Sequence, residues 1–356
     1  MEHGPRMASH KNLQSLLSPA RWSELRAIFF ETIDQPAASR EEFILHRCAT
    51  AEQVHALKAL LAAHENPAGI LDNAPPVALS SDLPPALEPG ALLSGRYRIV
   101  RLIARGGMGE VYEARDLKSG GATLAVKTLD AHDISRFKRE NRLAGRISHP
   151  NVCRVFNLLI DKKFDPPLLY LTMEFLDGIT AAARIRNQGA FPADEAARVG
   201  VQVAEGLAAA HSIGILHCDL KPSNVILVSD RAVITDFGLA RLRSDDDPVR
   251  AGGLVGTVNY LSPEQVDGAP ADFRSDVWAL GLVLCEIFTG KPPILAQTGP
   301  RLRGPGVPPS WKTLIRRCLQ RDPIRRFADA MAVCAAIRET VTARSEFRSR
   351  AASSAL

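Results

Sequence analysis

The chain has 356 residues, 46% of them hydrophobic and 23% charged, enough apolar matter for a normal core at roughly 150 residues per domain; a disulfide mini-protein and wholesale disorder are excluded. Its 44 Lys and Arg against 39 Asp and Glu leave a net charge of +5, a bias too weak and too spread out to point to nucleic acid. The 6 cysteines form no C-x-x-C pair and no zinc-like spacing with histidine, so they are expected to be reduced thiols.

The first twenty residues lack a charged head, an apolar run and a cleavage site, so no secretory signal is expected. From Trp22, Leu25, Ile28, Phe29 and Ile33 fall on one helical face. Ser39 with Glu42, and Thr50 with Gln53, have the spacing of capping boxes that open two further helices. These three helices, residues 1–65, form an expected packing or docking leader without chemistry of its own. Residues 66–95 carry Pro67, Pro75, Pro76, Pro84, Pro85 and Pro89 and are expected to be a tether, because proline lacks the N–H that helices and strands need.

The next block, Ile99 to Ile103, then Ala104-Arg105-Gly106-Gly107-Met108-Gly109, then Glu110 to Ala114, reads as strand, glycine turn, strand. Glycines let backbone N–H groups approach phosphate oxygens. Leu124-Ala125-Val126-Lys127 ends an apolar strand on a lysine, whose burial calls for a carboxylate, and Glu140 in the following helical stretch can supply it. This order resembles the N-lobe of eukaryotic-like (Hanks-type) protein kinases.

Farther on, His217-Cys218-Asp219-Leu220-Lys221-Pro222-Ser223-Asn224 precedes Val225-Ile226-Leu227, and Asp236-Phe237-Gly238 follows. This resembles the catalytic loop and metal-binding triplet of the same family, in its bacterial serine/threonine form. Gly256-Thr257, Ser262-Pro263-Glu264, the helix beginning Asp276-Val277-Trp278 and Arg326, a partner for Glu264, extend the resemblance from about residue 96 to 340. The longest apolar stretch, Val277 to Phe288, contains Glu286 and is far short of the ~20 residues of a membrane helix. The tail, residues 341–356, has Arg344, Arg348 and Arg350 among small residues and is expected to fray.

The resemblance implies an α+β fold with a β-rich N-lobe, a helical C-lobe and ATP between them. Asp219 would accept the proton of the acceptor hydroxyl, Lys221 would reach the transferring phosphate, Lys127 would hold the α- and β-phosphates and Glu140 would hold Lys127. Asn224 and Asp236 would bind Mg²⁺. Ile103, Gly106, Gly107, Gly109, Val111 and Ala125 would cover the nucleotide from above and Ile226 from below. Glu174 and Leu176 would bond the adenine edge, behind Met173. The implied partners are ATP, proteins carrying Ser or Thr, and a regulator at the leader helices, in the cytoplasm, with no nucleic acid and no membrane span. A pseudokinase scaffold and a small-molecule phosphotransferase remain alternatives.

Two departures matter. Ala104 stands where the family has its first loop glycine, and Cys218 replaces an arginine that would pair with a phosphate on the activation segment. Ser244 is the one loosely placed acceptor there, so activity independent of activation-segment phosphorylation is expected. His217 and Phe237 are expected to pack, not to transfer protons.

Overall fold

The computed structural model describes residues 25, 28, 31–32, 35–36, 39–51, 53–55, 57–58, 61, 85–106, 109–129, 145–237, 260–291, 295–296, 299–300 and 307–339. The expectations for Glu140, Gly107, Gly238, Ser244, Thr257 and the 341–356 tail lie outside these residues.

In the leader, helix α1 (Arg40–Arg47) buries Ile44, which joins Leu25, Ile28, Leu57 and Leu61 in a small apolar cluster of their own. Thr50 and Gln53 form the expected reciprocal cap: the Gln53 amide donates to Thr50 Oγ1 at 3.2 Å, and the Thr50 amide donates to Gln53 Oε1 at 3.2 Å. Ser39 makes no such bond. Its own backbone is already helical, at φ −102° and ψ −5°, and its N–H donates to Pro36 O, so the side chain does not reach back over the first turn.

The N-lobe is a six-stranded sheet in the order β1-β2-β3-β4-β6-β5: Leu92–Leu93, Tyr97–Gly106, Gly109–Asp116, Ala122–Leu129, then Leu168–Met173 and the edge strand Val155–Asp161. Alternation along β3 sends Tyr112 and Ala114 into one cluster with Leu87, Leu93, Tyr97, Ile99, Val126 and Tyr170. The tether expected to run to residue 95 is therefore docked from residue 85, with Leu87 and Leu93 in the core and Leu92 exposed. Proline content forecasts the lack of helix; it does not forecast that the extended chain lies on a sheet.

The C-lobe is built on helices α2 (Ala181–Gln188), α3 (Ala193–His211), α4 (Pro263–Val266), α5 (Phe273–Thr289) and α6 (Pro309–Cys318), with a last helix over 330–339. Helix α5 is buried from Ser275 to Phe288, as a helix apolar on all sides must be. It starts at an Asp272 capping box and stops at Gly290 in the left-handed conformation. A small sheet, β7-β8-β9 (Ile179–Thr180, Val225–Val228 and Arg231–Ile234), lies under the cleft. Its β8-β9 hairpin pairs Val225 with Ile234, so Asn224 and Asp236 emerge at the same end. None of the six cysteines is in a disulfide, and burial pushes the Cys285 and Cys334 thiols up to about 11, which keeps them protonated. Among the described residues no helix is long and apolar enough to cross a membrane.

Candidate active site

The roof of the cleft is the β2-β3 hairpin. Gly106 pairs with Gly109, and Gly109 takes φ +119°, a conformation L side chains rarely adopt. Ala104, in β2, pairs with Val111 just after a register shift that follows Leu102, and is not among the residues of positive φ. Ile103, on the same strand, is exposed. Val111 and Leu176 pack on a cluster of Ala125, Met173, Cys153 and Val233. Ile226 lies beside this cluster through its pairing with Val233. Glu174 bridges the lobes: its amide donates to Arg154 O at 2.8 Å, and its Oε1 accepts from Arg231 Nη2 at 2.6 Å.

Lys127 is 5% exposed, and its Nζ donates to Asp236 Oδ1 at 2.7 Å. A cation this deep requires a carboxylate, and here it is one carried by the opposite lobe. Asp236 itself has φ +66°. An acidic residue tolerates that region better than a branched one, and the next residue, Phe237, is buried against His217 with ring centroids 4.6 Å apart.

The 217–224 loop hangs from helix α5. Asp276, buried in its first turn, accepts from the amides of His217 at 2.6 Å and Cys218 at 2.8 Å, and its Oδ2 lies 3.1 Å from His211 Nε2. This clamp holds Cys218 at φ +62°. His217 is fully buried: Nε2 lies 3.0 Å from Thr235 O, and Nδ1 accepts from the Asp219 amide at 3.2 Å. Both ring nitrogens are committed to backbone, which is a packing role.

Asp219 projects from this support. Its Oδ2 accepts from Lys221 Nζ at 2.8 Å and from Asn224 Nδ2 at 3.3 Å, and Asn224 Nδ2 also donates to Asp219 O at 2.8 Å. Asp219 Oδ1 is buried and has no hydrogen-bond partner among the described residues. A buried carboxylate oxygen left unpaired is costly and marks a place where a donor from outside is received. With Nδ2 spent on Asp219, the atom that Asn224 can offer a cation is its amide oxygen. Together with the Asp236 carboxylate this makes an all-oxygen set, the kind that suits a hard cation such as Mg²⁺.

Below the loop, Ser262 caps α4 in a capping box with Gln265. Glu264 receives a two-pronged bond from Arg326, Nη1 to Oε1 at 2.7 Å and Nη2 to Oε2 at 2.8 Å. Burial works against the charge on Glu264, but the Arg326 bonds outweigh it and hold its carboxyl below the usual glutamate range. The Arg326 guanidinium also lies 4.9 Å from the Trp278 ring. The Tyr260 hydroxyl donates to Glu286 Oε2; burial pushes the Glu286 carboxyl up, and the bond from Tyr260 opposes the shift.

The structure thus brings Lys127 and Asp236 into direct contact, and Asp219, Lys221 and Asn224 into a second group one hairpin away. The reading of the sequence missed Asp276 as the support of the loop, although an acid heading an apolar helix was a usable signal. It also missed Cys153 and Val233, which complete the wall behind Met173.

A family model described as "Protein kinase domain" matches residues 97–337. A probable serine/threonine-protein kinase PknB of Bifidobacterium longum is 35% identical over 271 residues, covering 68% of this chain and 39% of that protein. Serine/threonine-protein kinase PknB of Mycobacterium leprae is 33% identical over 261 residues, covering 67% of this chain and 42% of that protein. The chain thus spans about two fifths of the length of these curated relatives. The crystal structure of the Mycobacterium tuberculosis PknI kinase domain is similar with a TM-score of 0.55 and 28% identity, over 71% of this chain and 99% of that one.

Proposed function

The chain belongs to the protein kinase domain family, and on that premise we propose that it is a serine/threonine protein kinase, which transfers the ATP γ-phosphate to Ser or Thr hydroxyls of proteins. The observation that carries this reading is the pairing of Lys127 with Asp236 at 2.7 Å beside the Asp219, Lys221 and Asn224 group.

Phosphoryl transfer calls mainly for positioning and for cations around the oxygens that gain charge. The unpartnered Oδ1 of Asp219 receives the acceptor O–H and takes its proton as the hydroxyl oxygen attacks. Asn224 Nδ2 and Lys221 Nζ hold the other side of the carboxylate, which fixes where Oδ1 points. Lys221 is two residues from the base and meets the transferring phosphate; Lys127 holds the α- and β-phosphates, with Glu140 as a further partner. The Asn224 amide oxygen and the Asp236 carboxylate would hold Mg²⁺, which would supply positive charge against the phosphate oxygens. The adenine lies between Val111 and Ala125 above and Ile226 below, with backbone groups of Glu174 and Leu176 at its edge and Met173 behind.

Two experiments test the reading. Radiolabel from γ-labelled ATP should pass, with Mg²⁺ present, to Ser or Thr of a generic basic protein, and Asp219→Asn should lower the rate by about 10² to 10⁴. Transfer that survives Asp219→Asn, or that reaches only an aminoglycoside acceptor, overturns the proposal. Activation without activation-segment phosphorylation is part of it, because a thiol at position 218 offers no charged fork for a phosphate. Ser244→Ala is therefore expected to keep the wild-type initial rate. A drop of tens of fold, together with stimulation of the wild type by prior phosphorylation, refutes this part alone.

A further inference from the structure

Residues 85–87 cross the outer face of the N-lobe sheet, and their backbone is fastened at the base of the glycine turn. The Ala86 amide donates to Glu110 Oε2 at 2.9 Å, and the Leu87 amide donates to the Tyr112 hydroxyl oxygen at 3.1 Å. The Tyr112 O–H donates in turn to Glu110 Oε2, and Arg105 Nε donates to Glu110 Oε1 at 2.6 Å. Arg105 and Glu110 face each other one step before Gly106 and Gly109, so one carboxylate ties together both strands of the turn and the passing chain. Glu110 is 9% exposed, which places an acidic group under cover where burial alone would disfavour it. Its backbone continues the connection: the Glu110 amide donates to Thr128 Oγ1 at 2.9 Å, and Thr128 follows Lys127 on β4.

This passing chain is also pinned farther along. The Ser94 amide donates to Asp161 Oδ2 at 2.6 Å, the Tyr170 hydroxyl donates to Ser94 Oγ at 2.7 Å, and Arg96 makes a two-pronged bond to Asp116 at 2.8 and 2.7 Å. The far end is therefore fixed to the sheet body, and the near end, at 85–87, holds the turn.

We propose that Glu110 is a positioning residue, which clasps the 85–87 segment to the paired strands at Arg105 and Glu110 and so sets the affinity of the cleft for the nucleotide. The clasp does not touch the reacting atoms. Glu110 and Val111 alternate on β3, and it is Val111 that faces the Ala125 and Met173 cluster. Whatever displaces the chain before residue 85 acts on nucleotide affinity through this carboxylate. The inference rests on the kinase reading above.

The test uses the full chain. Ala86→Pro deletes one N–H donor next to prolines already present at 84 and 85, and Glu110→Ala deletes the carboxylate. Glu110→Ala is expected to raise the KM for ATP about tenfold, the loss expected for a charge-assisted hydrogen bond, with kcat changed less than about twofold. Ala86→Pro should raise it by about fivefold, and the double variant should be no worse than Glu110→Ala. Amide hydrogen exchange at 103–112 should quicken in both variants without nucleotide, a readout that does not depend on catalysis. Should Glu110→Ala fail to fold, Glu110→Gln is measured in its place. Wild-type KM together with wild-type exchange in these variants overturns the inference and leaves the kinase reading intact; a wild type that binds no ATP overturns the kinase reading, while the exchange result still judges the clasp.

Discussion

A Cβ at Gly109 would stand 2.0 Å from the backbone oxygen of Thr128, in a residue already at φ +119°. Gly109→Ala must shift the turn away from β4 and strain its backbone, at about 2 to 3 kcal/mol. Urea unfolding should show that loss, and the KM for ATP should rise with it, because Thr128 adjoins Lys127. The same residue shows what can be read from a single chain. Asp219, Asn224 and Asp236 stand out because they are polar types spaced 5 and 12 residues apart, and Gly109 and Lys127 because a glycine turn and a strand-borne lysine are each recognisable locally. Asp276 is not legible in that way: the amides it accepts lie 59 and 58 residues upstream in the chain. Nothing local to Cys218 announces its left-handed backbone, which is imposed by that clamp. The sequence marks Glu110 only as the start of a strand, and its hydrogen bond to the Ala86 amide comes from a segment 24 residues before it.

Among elements, the best test is the tie between α4 and the 3-10 turn Pro323–Arg325, because it joins two segments 62 residues apart in the C-lobe. Arg326 is 3% exposed and also donates to Gln320 O, Arg321 O and Arg274 O, so the bond to Glu264 is one arm of a fully committed guanidinium. Arg326→Met takes the guanidinium from the Glu264 carboxylate and leaves it the Ser275 hydroxyl, which donates to Oε1 at 2.8 Å, and should cost about 3 kcal/mol at pH 7. The pH dependence has a defined sign. Glu264 is held below its ordinary value of 4.5, so its contribution is present above that value and is lost as pH falls through the lower, folded one. In the variant, protonation relieves the stranded charge, so the difference in unfolding free energy between wild type and Arg326→Met should narrow below pH 4.5. A difference that stays constant from pH 7 to 3 means that the cost is lost packing and not charge. This tie was legible as a pair from the sequence; its partners on Gln320, Arg321 and Arg274 were not, since backbone carbonyls leave no mark in the residue types.

At the scale of the whole molecule, the apolar clusters separate by segment. Leu25, Ile28, Ile44, Leu57 and Leu61 pack with one another and with Cys48 and Val54, whereas the lobes build their own cores from residue 87 onward. Periodicity and the proline run suggest a leader set apart from the rest of the chain; they do not announce the docking of 85–95, because an extended chain gains its place from the side chains that receive it. A leader of this size buries too little to be stable by a wide margin. Leu57 is fully buried, and Leu57→Ala should cost the leader about 2 to 4 kcal/mol, enough to unfold it. Limited proteolysis should then cleave within residues 39–61, while the thermal transition of residues 97–337 keeps its wild-type midpoint. A common shift of both would mean that the leader and the lobes unfold as one cooperative body. If only the leader opens, the connection between the two units runs through the chain around residue 85, and the ATP affinity of Leu57→Ala should stay at the wild-type value as long as the Ala86 and Leu87 bonds remain.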